Sequence, residues 1–301
     1  MTGTTLVTGA TGFLGSRLVR RIRVDGSRIV CTTRSATPPV VEGVVWRVCD
    51  LTRAEHVQAL FEEERPSVVF HLASHVSGVR EPDNVLPTLS GNLVAAVNVL
   101  LAAHATGGRR VVLAGSYEEP VGDDPPRSPY AAAKAGATAY ARMFSSLYGL
   151  STIVLRPSMI YGPGQRDEIK LVPYVTRCFL RDEPPVLSSG GRPIDWVYVD
   201  DVADAFATAA DTPGLDGEVV EIGSGEVHTV AEIVAMLATA TQATVVARFG
   251  ELQERSSEQV AAADTEKARR LLGWTAVTSI EEGLARTVED VRATLAAAKS
   301  T

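Results

Sequence analysis

Thr8-Gly9-Ala10-Thr11-Gly12-Phe13-Leu14-Gly15 closes a β-branched run that begins at Thr5, and it opens a segment with Leu14, Leu18, Val19 and Ile22 on one helical face. Strand, glycine turn and helix follow one another with no spacer. The glycines permit a tight turn, close backbone approach to a pyrophosphate and close helix packing, while the helix start offers free N–H groups and a positive dipole end. A plain turn is the alternative, but a position directly after the first strand favours a dinucleotide phosphate loop. Gly9, Thr11, Gly12, Phe13, Leu14 and Gly15 are its candidate cofactor contacts.

Outward from this loop, short β-branched runs at Arg28 to Thr33, Val44 to Val48, Val68 to Leu72, Arg110 to Ala114 and Thr152 to Leu155 alternate with helical patterns. The helical patterns are Phe13 to Val24, Ala54 to Glu63, Gly91 to Ala105 and Pro129 to Tyr148. That rhythm predicts an α/β fold of the Rossmann type, a doubly wound parallel sheet flanked by helices. After Ile160 it breaks at Pro163, Gly164, Pro173, Pro184, Pro185, Gly190, Gly191 and Pro193. Residues 1–160 are therefore expected to form the nucleotide domain and residues 161–301 mainly a smaller α/β substrate lobe. A run at Asp195 to Val199, a helix to about Ala210 and a strand at Val219 to Ile222 are expected to return to the large sheet, within 194–222. Helices near Val230 to Ala240, Thr265 to Leu272 and Ile280 to Ala297 complete the lobe.

The 301 residues are 45% hydrophobic and 22% charged, enough to bury a full core. A net charge of -7 and a pI near 5.4 argue against a nucleic acid partner, which calls for clustered Lys and Arg. Cys31, Cys49 and Cys178 are scattered and odd in number, so buried reduced thiols are expected rather than disulfides or a metal site. The chain begins almost at once with a strand, and no apolar stretch of about 18 residues follows. A cytoplasmic protein with no membrane partner is expected.

The second strand ends Thr32-Thr33-Arg34-Ser35, where an acidic residue would select NAD by binding the ribose 2′-hydroxyl. Arg34, with Ser35 beside it, can pair with a 2′-phosphate instead, so NADP(H) is the favoured cofactor and NAD(H) the alternative. Asp50 and Leu51 are placed to line an adenine pocket, although Asp50 reads equally well as a turn aspartate.

Tyr130-Ala131-Ala132-Ala133-Lys134 places a phenol and an ammonium four residues apart, on one face of a helix start. A lysine there is expected to lower the tyrosine pKa and let it exchange a proton with a carbonyl or alcohol. Ser116, after a sheet strand, is placed to hydrogen-bond the reacting oxygen. These are the candidate catalytic residues.

Taken together, the glycine loop, Asp50-Leu51, His71-Leu72-Ala73-Ser74, Asn92 with Asn98, Ser116, Tyr130 with Lys134, Arg156-Pro157, Tyr161-Gly162-Pro163-Gly164-Gln165 and Gly191-Arg192-Pro193 resemble the extended short-chain dehydrogenase/reductase family. The run Asp195-Trp196-Val197-Tyr198-Val199-Asp200-Asp201-Val202-Ala203 belongs to the same resemblance, which spans nearly the whole chain. It points to the branch of nucleotide-sugar epimerases, dehydratases and ketoreductases. By that resemblance Tyr130 is the general acid or base, Lys134 also holds the nicotinamide ribose, and Ser116 orients the reacting oxygen. Leu72, Ala73, Ser74, Asn92 and Pro157 join the cofactor contacts. Ser77, Ser116, Glu118 and Arg192 are the substrate contacts, with Arg192 toward a diphosphate. The resemblance also implies a homodimer through a four-helix interface.

Dehydratases of this branch carry an Asp-Glu pair directly after the Ser/Thr, but here Tyr117 occupies the acid position. The run Gly115-Ser116-Tyr117-Glu118-Glu119 looks like reductases of nucleotide-linked 4-keto-6-deoxy sugars. The expected activity is NADPH-dependent reduction of the C4 ketone of a nucleotide-linked, dTDP-type, 4-keto-6-deoxyhexose in deoxysugar biosynthesis. An NAD-dependent nucleotide-sugar 4-epimerase is the alternative, and a non-catalytic nucleotide sensor a more remote one. Met159 replaces an asparagine that relatives offer to the diphosphate, and the 117–129 segment is short.

Overall fold

The computed structural model describes residues 3–23, 28–108, 110–252 and 262–299. The first elements are β1 (Thr4–Thr8), α1 (Phe13–Ile22), β2 (Arg28–Thr33), β3 (Val44–Val48), α2 (Ala54–Glu64), β4 (Val68–His71), α3 (Val85–Thr88), α4 (Ala95–Ala105), β5 (Arg110–Ala114), α5 (Pro129–Tyr148) and β6 (Thr152–Pro157). After them come β7 (Met159–Tyr161), α6 (Leu171–Leu180), β8 (Pro193–Tyr198), α7 (Val199–Asp211), β9 (Glu218–Ile222), β10 (Val227–Thr229), α8 (Val230–Thr241), α9 (Thr265–Leu272) and α10 (Ile280–Lys299). By internal packing they divide into two units: 1–157 with 203–222 and 266–274, and 158–202 with 223–265 and 275–301.

In the first unit seven strands pair in the order β3-β2-β1-β4-β5-β6-β9, every pair parallel. The expected fold class is the one observed. Inner strands such as β2 and β4 are buried on both faces, which explains why apolar residues follow one another in them, as in Ile29-Val30-Cys31 and Val68-Val69-Phe70. Helices α2, α4 and α5 share one core with the sheet, built around Phe61, Leu100, Phe144, Leu6 and Val111. Strand order reverses at β1, so the chain leaves β1 and β4 in opposite directions and opens a crevice at their carboxyl ends. Arg110 on β5 donates to the Ala209 and Thr212 carbonyls at the end of α7, fastening that returning helix to the sheet.

The second unit has its own sheet, β10-β8-β7, with β8 antiparallel to β10 and parallel to β7. Tyr161 meets the rings of Trp196 and Tyr198 edge-on, with centroids 6.4 and 5.8 Å away, and Val175, Phe179, Leu237 and Leu284 from α6, α8 and α10 close the core. Buried Asp195 accepts hydrogen bonds from the Ser224 amide and hydroxyl and from the Gly225 and Ala263 amides. Four donors satisfy a carboxylate that could not otherwise be buried.

Several expectations are corrected. The run Asp195 to Val199 does not rejoin the large sheet: β8 stays in the small one, while β9 and most of α7 return to the first unit. A strand buried on both faces carries no mark of which neighbours it pairs with. Pro173 does not break the chain but falls in the first turn of α6, where no backbone N–H is required. The helix expected from Gly91 begins earlier, as α3 leads through a π-helical turn, Leu89–Val94, into α4. Val24, the expected end of the first helix, lies outside the described residues.

Candidate active site

At the end of β1 the glycines interlock. Gly9 has φ +72°, and a Cβ there would lie 2.6 Å from the Ala73 nitrogen. A Cβ on Gly15 would lie 2.1 Å from the Gly9 carbonyl oxygen, which itself accepts the Gly12 amide at 2.9 Å. The first turn of α1 has neither a side-chain cap nor an acidic residue, so its N–H groups face outward for an anion. Thr11 and Gly12 are exposed, Phe13 and Leu14 half-buried. An uncapped helix start behind a loop without Cβ atoms fits a dinucleotide pyrophosphate.

Thr8 ties this loop to the next strand. Its hydroxyl contacts His71 Nδ1 at 2.9 Å and accepts the Ala73 amide at 3.2 Å, while its carbonyl accepts the Leu72 amide. Burial, with the Lys134 charge adding to it, pushes the His71 pKa down to about 3, so the ring is neutral.

Arg34 is exposed at the end of β2 and has no ion pair among the described residues. Ser35 is taken up in a local turn with Thr33 and Thr37. Asp50 accepts the Thr52 hydroxyl and amide at 2.8 and 3.0 Å, and these bonds hold its carboxyl below the usual range. Of the two readings left open for it, this geometry is the turn aspartate. Leu51 is buried, its carbonyl held by Asn98 Nδ2 at 2.9 Å.

Ser116, Tyr130 and Lys134 come together. Ser128 caps α5 by accepting the Ala131 amide and Pro129 follows it, which fixes Tyr130 in the first turn. One turn on, Lys134 Nζ lies 5.8 Å from the Tyr130 ring centroid and donates to the Ala114 carbonyl at 2.7 Å. Ser116 is buried, and its Oγ accepts the Glu118 amide at 3.1 Å, which leaves the hydroxyl proton for another acceptor. The Ser116 hydroxyl is placed to donate to the Tyr130 phenol and favour its anion; Ser74 is also close, but its proton goes to Asn92. Burial nevertheless dominates, and with the Glu118 charge it pushes the phenol above its ordinary value. This corrects the expectation that Lys134 lowers it. The lysine is itself desolvated, down to about 8, with Glu119 opposing that fall.

Asn92, in the π-helical turn, accepts from the Ser74 hydroxyl at 2.9 Å and the His75 amide at 2.7 Å, steadying the loop after β4 beside Tyr130. Pro157 ends β6, and its carbonyl accepts the Tyr117 amide. Ser77 is half-buried, and its hydroxyl accepts the Val79 amide in a local turn. Glu118 is exposed. Arg192 is half-buried just ahead of β8 in the second unit. Two groups were not anticipated: Glu119, with a fully buried side chain, and its partner Arg156. The only sequence signal was an acidic residue directly after Glu118, indistinguishable from a solvated surface charge. No cluster of metal-binding side chains occurs among the described residues.

This fold and this loop define a nucleotide-dependent oxidoreductase scaffold, and the chain belongs to the NAD dependent epimerase/dehydratase family, whose model matches residues 5–223. Among its relatives, a UDP-glucose 4-epimerase of Mycolicibacterium smegmatis is 31% identical over 96% of this chain and 98% of its own. A dTDP-glucose 4,6-dehydratase of Neisseria meningitidis is also 31% identical, over 94% and 92%. The structure of a Thermus thermophilus UDP-glucose 4-epimerase complexed with NAD is similar with a TM-score of 0.85, at 28% identity over 96% and 99% of the two chains.

Proposed function

We propose that the chain is an NAD(H)-dependent nucleotide-sugar 4-epimerase acting on a UDP-hexose. The observation that carries this reading is Tyr130, beside Lys134 and within reach of the Ser116 hydroxyl, with Tyr117 at the position where a dehydratase needs an acid. The two relatives of equal identity carry out epimerisation and dehydration. Tyr117 cannot protonate a leaving hydroxyl as a carboxylic acid does, and that leaves epimerisation.

Gly9, Gly12 and Gly15 would hold the pyrophosphate of a nicotinamide dinucleotide and Lys134 its ribose hydroxyls; when bound, that cofactor would supply hydride acceptance and return at C4. Burial favours the neutral phenol, so Tyr130 must first release its own proton; as the phenolate it would accept the C4 hydroxyl proton as the carbonyl forms and give it back as the carbonyl is reduced. Ser116 donates to the same oxygen, its orientation set by the Glu118 amide. Removal of such a general acid-base group costs about 10²- to 10⁴-fold in rate.

A second reading, NADPH-dependent reduction of a 4-keto-6-deoxy sugar nucleotide, is favoured by Arg34 at the end of β2. One experiment separates the two. Purified protein is incubated with UDP-glucose and, separately, with a 4-keto-6-deoxy sugar nucleotide and NADPH. UDP-galactose formation without net cofactor consumption supports the epimerase; stoichiometric NADPH oxidation with no epimer transfers the assignment to the reductase.

A further inference from the structure

We propose that Glu119, clamped by Arg156, is the positioning residue of this site: its carboxylate fixes the Ser116 backbone and stands as the buried counter-charge to Lys134. The proposal adds a function to a side chain that the epimerase reading does not use, and it rests on that reading only for its activity measurements.

One carboxylate oxygen, Oε1, accepts the Ser116 amide at 2.9 Å. The other, Oε2, accepts Arg156 Nε at 2.9 Å and Nη2 at 2.6 Å, a two-pronged grip that leaves the carboxylate no other rotamer. The Glu119 amide returns a bond to the Ser116 carbonyl at 3.2 Å, closing a turn on the serine from both sides. Gly115 makes room for this: a Cβ there would lie 2.6 Å from Glu119 Oε1 and 2.9 Å from Arg156 Cγ. The adjacent Ala114 carbonyl takes Lys134 Nζ. Ala114, at the end of β5, and Ser116, two residues on, are thus held by Lys134 and Glu119 respectively.

A buried ion pair is weak evidence for stability, since a hydrophobic pair could fill the same space. What the ion pair provides is charge. Lys134 is faced by neutral His71 from β4 and by Tyr130 on its own helix, and Glu119 is the negative group acting on it. Burial drives the lysine toward its neutral form, and Glu119 works against that. A lysine that lost its proton near neutral pH would no longer present a cation to the ribose.

The test uses the chain's four lysines, Lys134, Lys170, Lys267 and Lys299. With ¹³C at their Cε, pH titration by NMR gives four resolved curves, and the Lys134→Arg protein assigns the curve of interest. The unaltered protein is expected to show Lys134 titrating at about 8. Glu119→Gln keeps an oxygen for the Ser116 amide but removes the charge, so the Lys134 midpoint moves to lower pH, whereas Glu119→Asp leaves it near the original. Glu119→Gln with Arg156→Met strands no buried cation, remains folded by circular dichroism, and shows a shift of the same direction. In parallel, UDP-glucose epimerisation by Glu119→Gln falls about tenfold, with its alkaline limb displaced to lower pH. An unmoved or raised Lys134 midpoint in both charge-removing proteins overturns the proposal, whatever their melting temperatures. If the unaltered protein turns over no nucleotide sugar while the midpoint shifts as stated, the epimerase reading fails and the role of Glu119 stands.

Discussion

Tyr130 and His71 illustrate opposite uses of burial at single positions. Replacing Tyr130 with phenylalanine removes the proton carrier and nothing that holds the nucleotide, so turnover drops by about 10²-fold or more while NADH binding, followed by fluorescence, is retained. Retained turnover removes Tyr130 from proton transfer. His71 matters through its absence of charge. Its folded pKa of about 3 lies below the unfolded value near 6.5, so the unfolded chain binds the extra proton between those values. Stability present above pH 6.5 is therefore lost as the pH falls toward 3, and thermal melts of a His71→Gln protein should lose less over that window than those of the parent. Ser116, Tyr130 and Lys134 were legible as a candidate trio because their residue types and spacing are enough to suggest a chemistry. Glu119 and the depressed His71 were not, since burial and counter-charge depend on what folds over a residue rather than on its neighbours in the chain.

Between elements, the strand-loop-helix junction at β1 and α1 has no slack. Gly15→Ala drives a methyl into the Gly9 carbonyl at 2.1 Å, backbone against helix, and is expected to cost about 3 kcal/mol or more in urea unfolding and to abolish NADH binding. Gly43→Ala is the control: its φ of +73° is unfavourable to alanine, but nothing lies within 4 Å, so about 1 kcal/mol and no binding defect are expected. Equal losses at the two positions would show that the packing argument is wrong. In the second unit, Asp195→Ala strands three amides and a hydroxyl and should destabilise by about 3 kcal/mol or more, read as a lowered denaturation midpoint. The parallel sheet and its helices were legible from periodicity and glycine placement. The short strands β7 and β10 were not, because three residues give no period, and Asp195 looked like any acid in a β run.

At the scale of the whole molecule, packed helices α4 and α5, with α3 leading into them, leave Leu86, Leu101, Leu147 and Tyr148 exposed, an apolar surface that a monomer has little reason to keep. A homodimer through this face is expected. Light scattering should give twice 31.9 kDa, and Leu101→Glu with Leu147→Glu should give the monomer mass; a parent that is monomeric at micromolar concentration refutes the dimer. The first unit, for its part, is discontinuous in sequence, taking 203–222 and 266–274 in addition to 1–157. During synthesis, therefore, the nucleotide-binding sheet cannot be finished when its sixth strand leaves the ribosome. Until β9 emerges, β6 presents an open edge, and until the end of α7 emerges Arg110 has no carbonyls to grip, so the nascent chain must shelter an unfinished sheet across about sixty residues of translation.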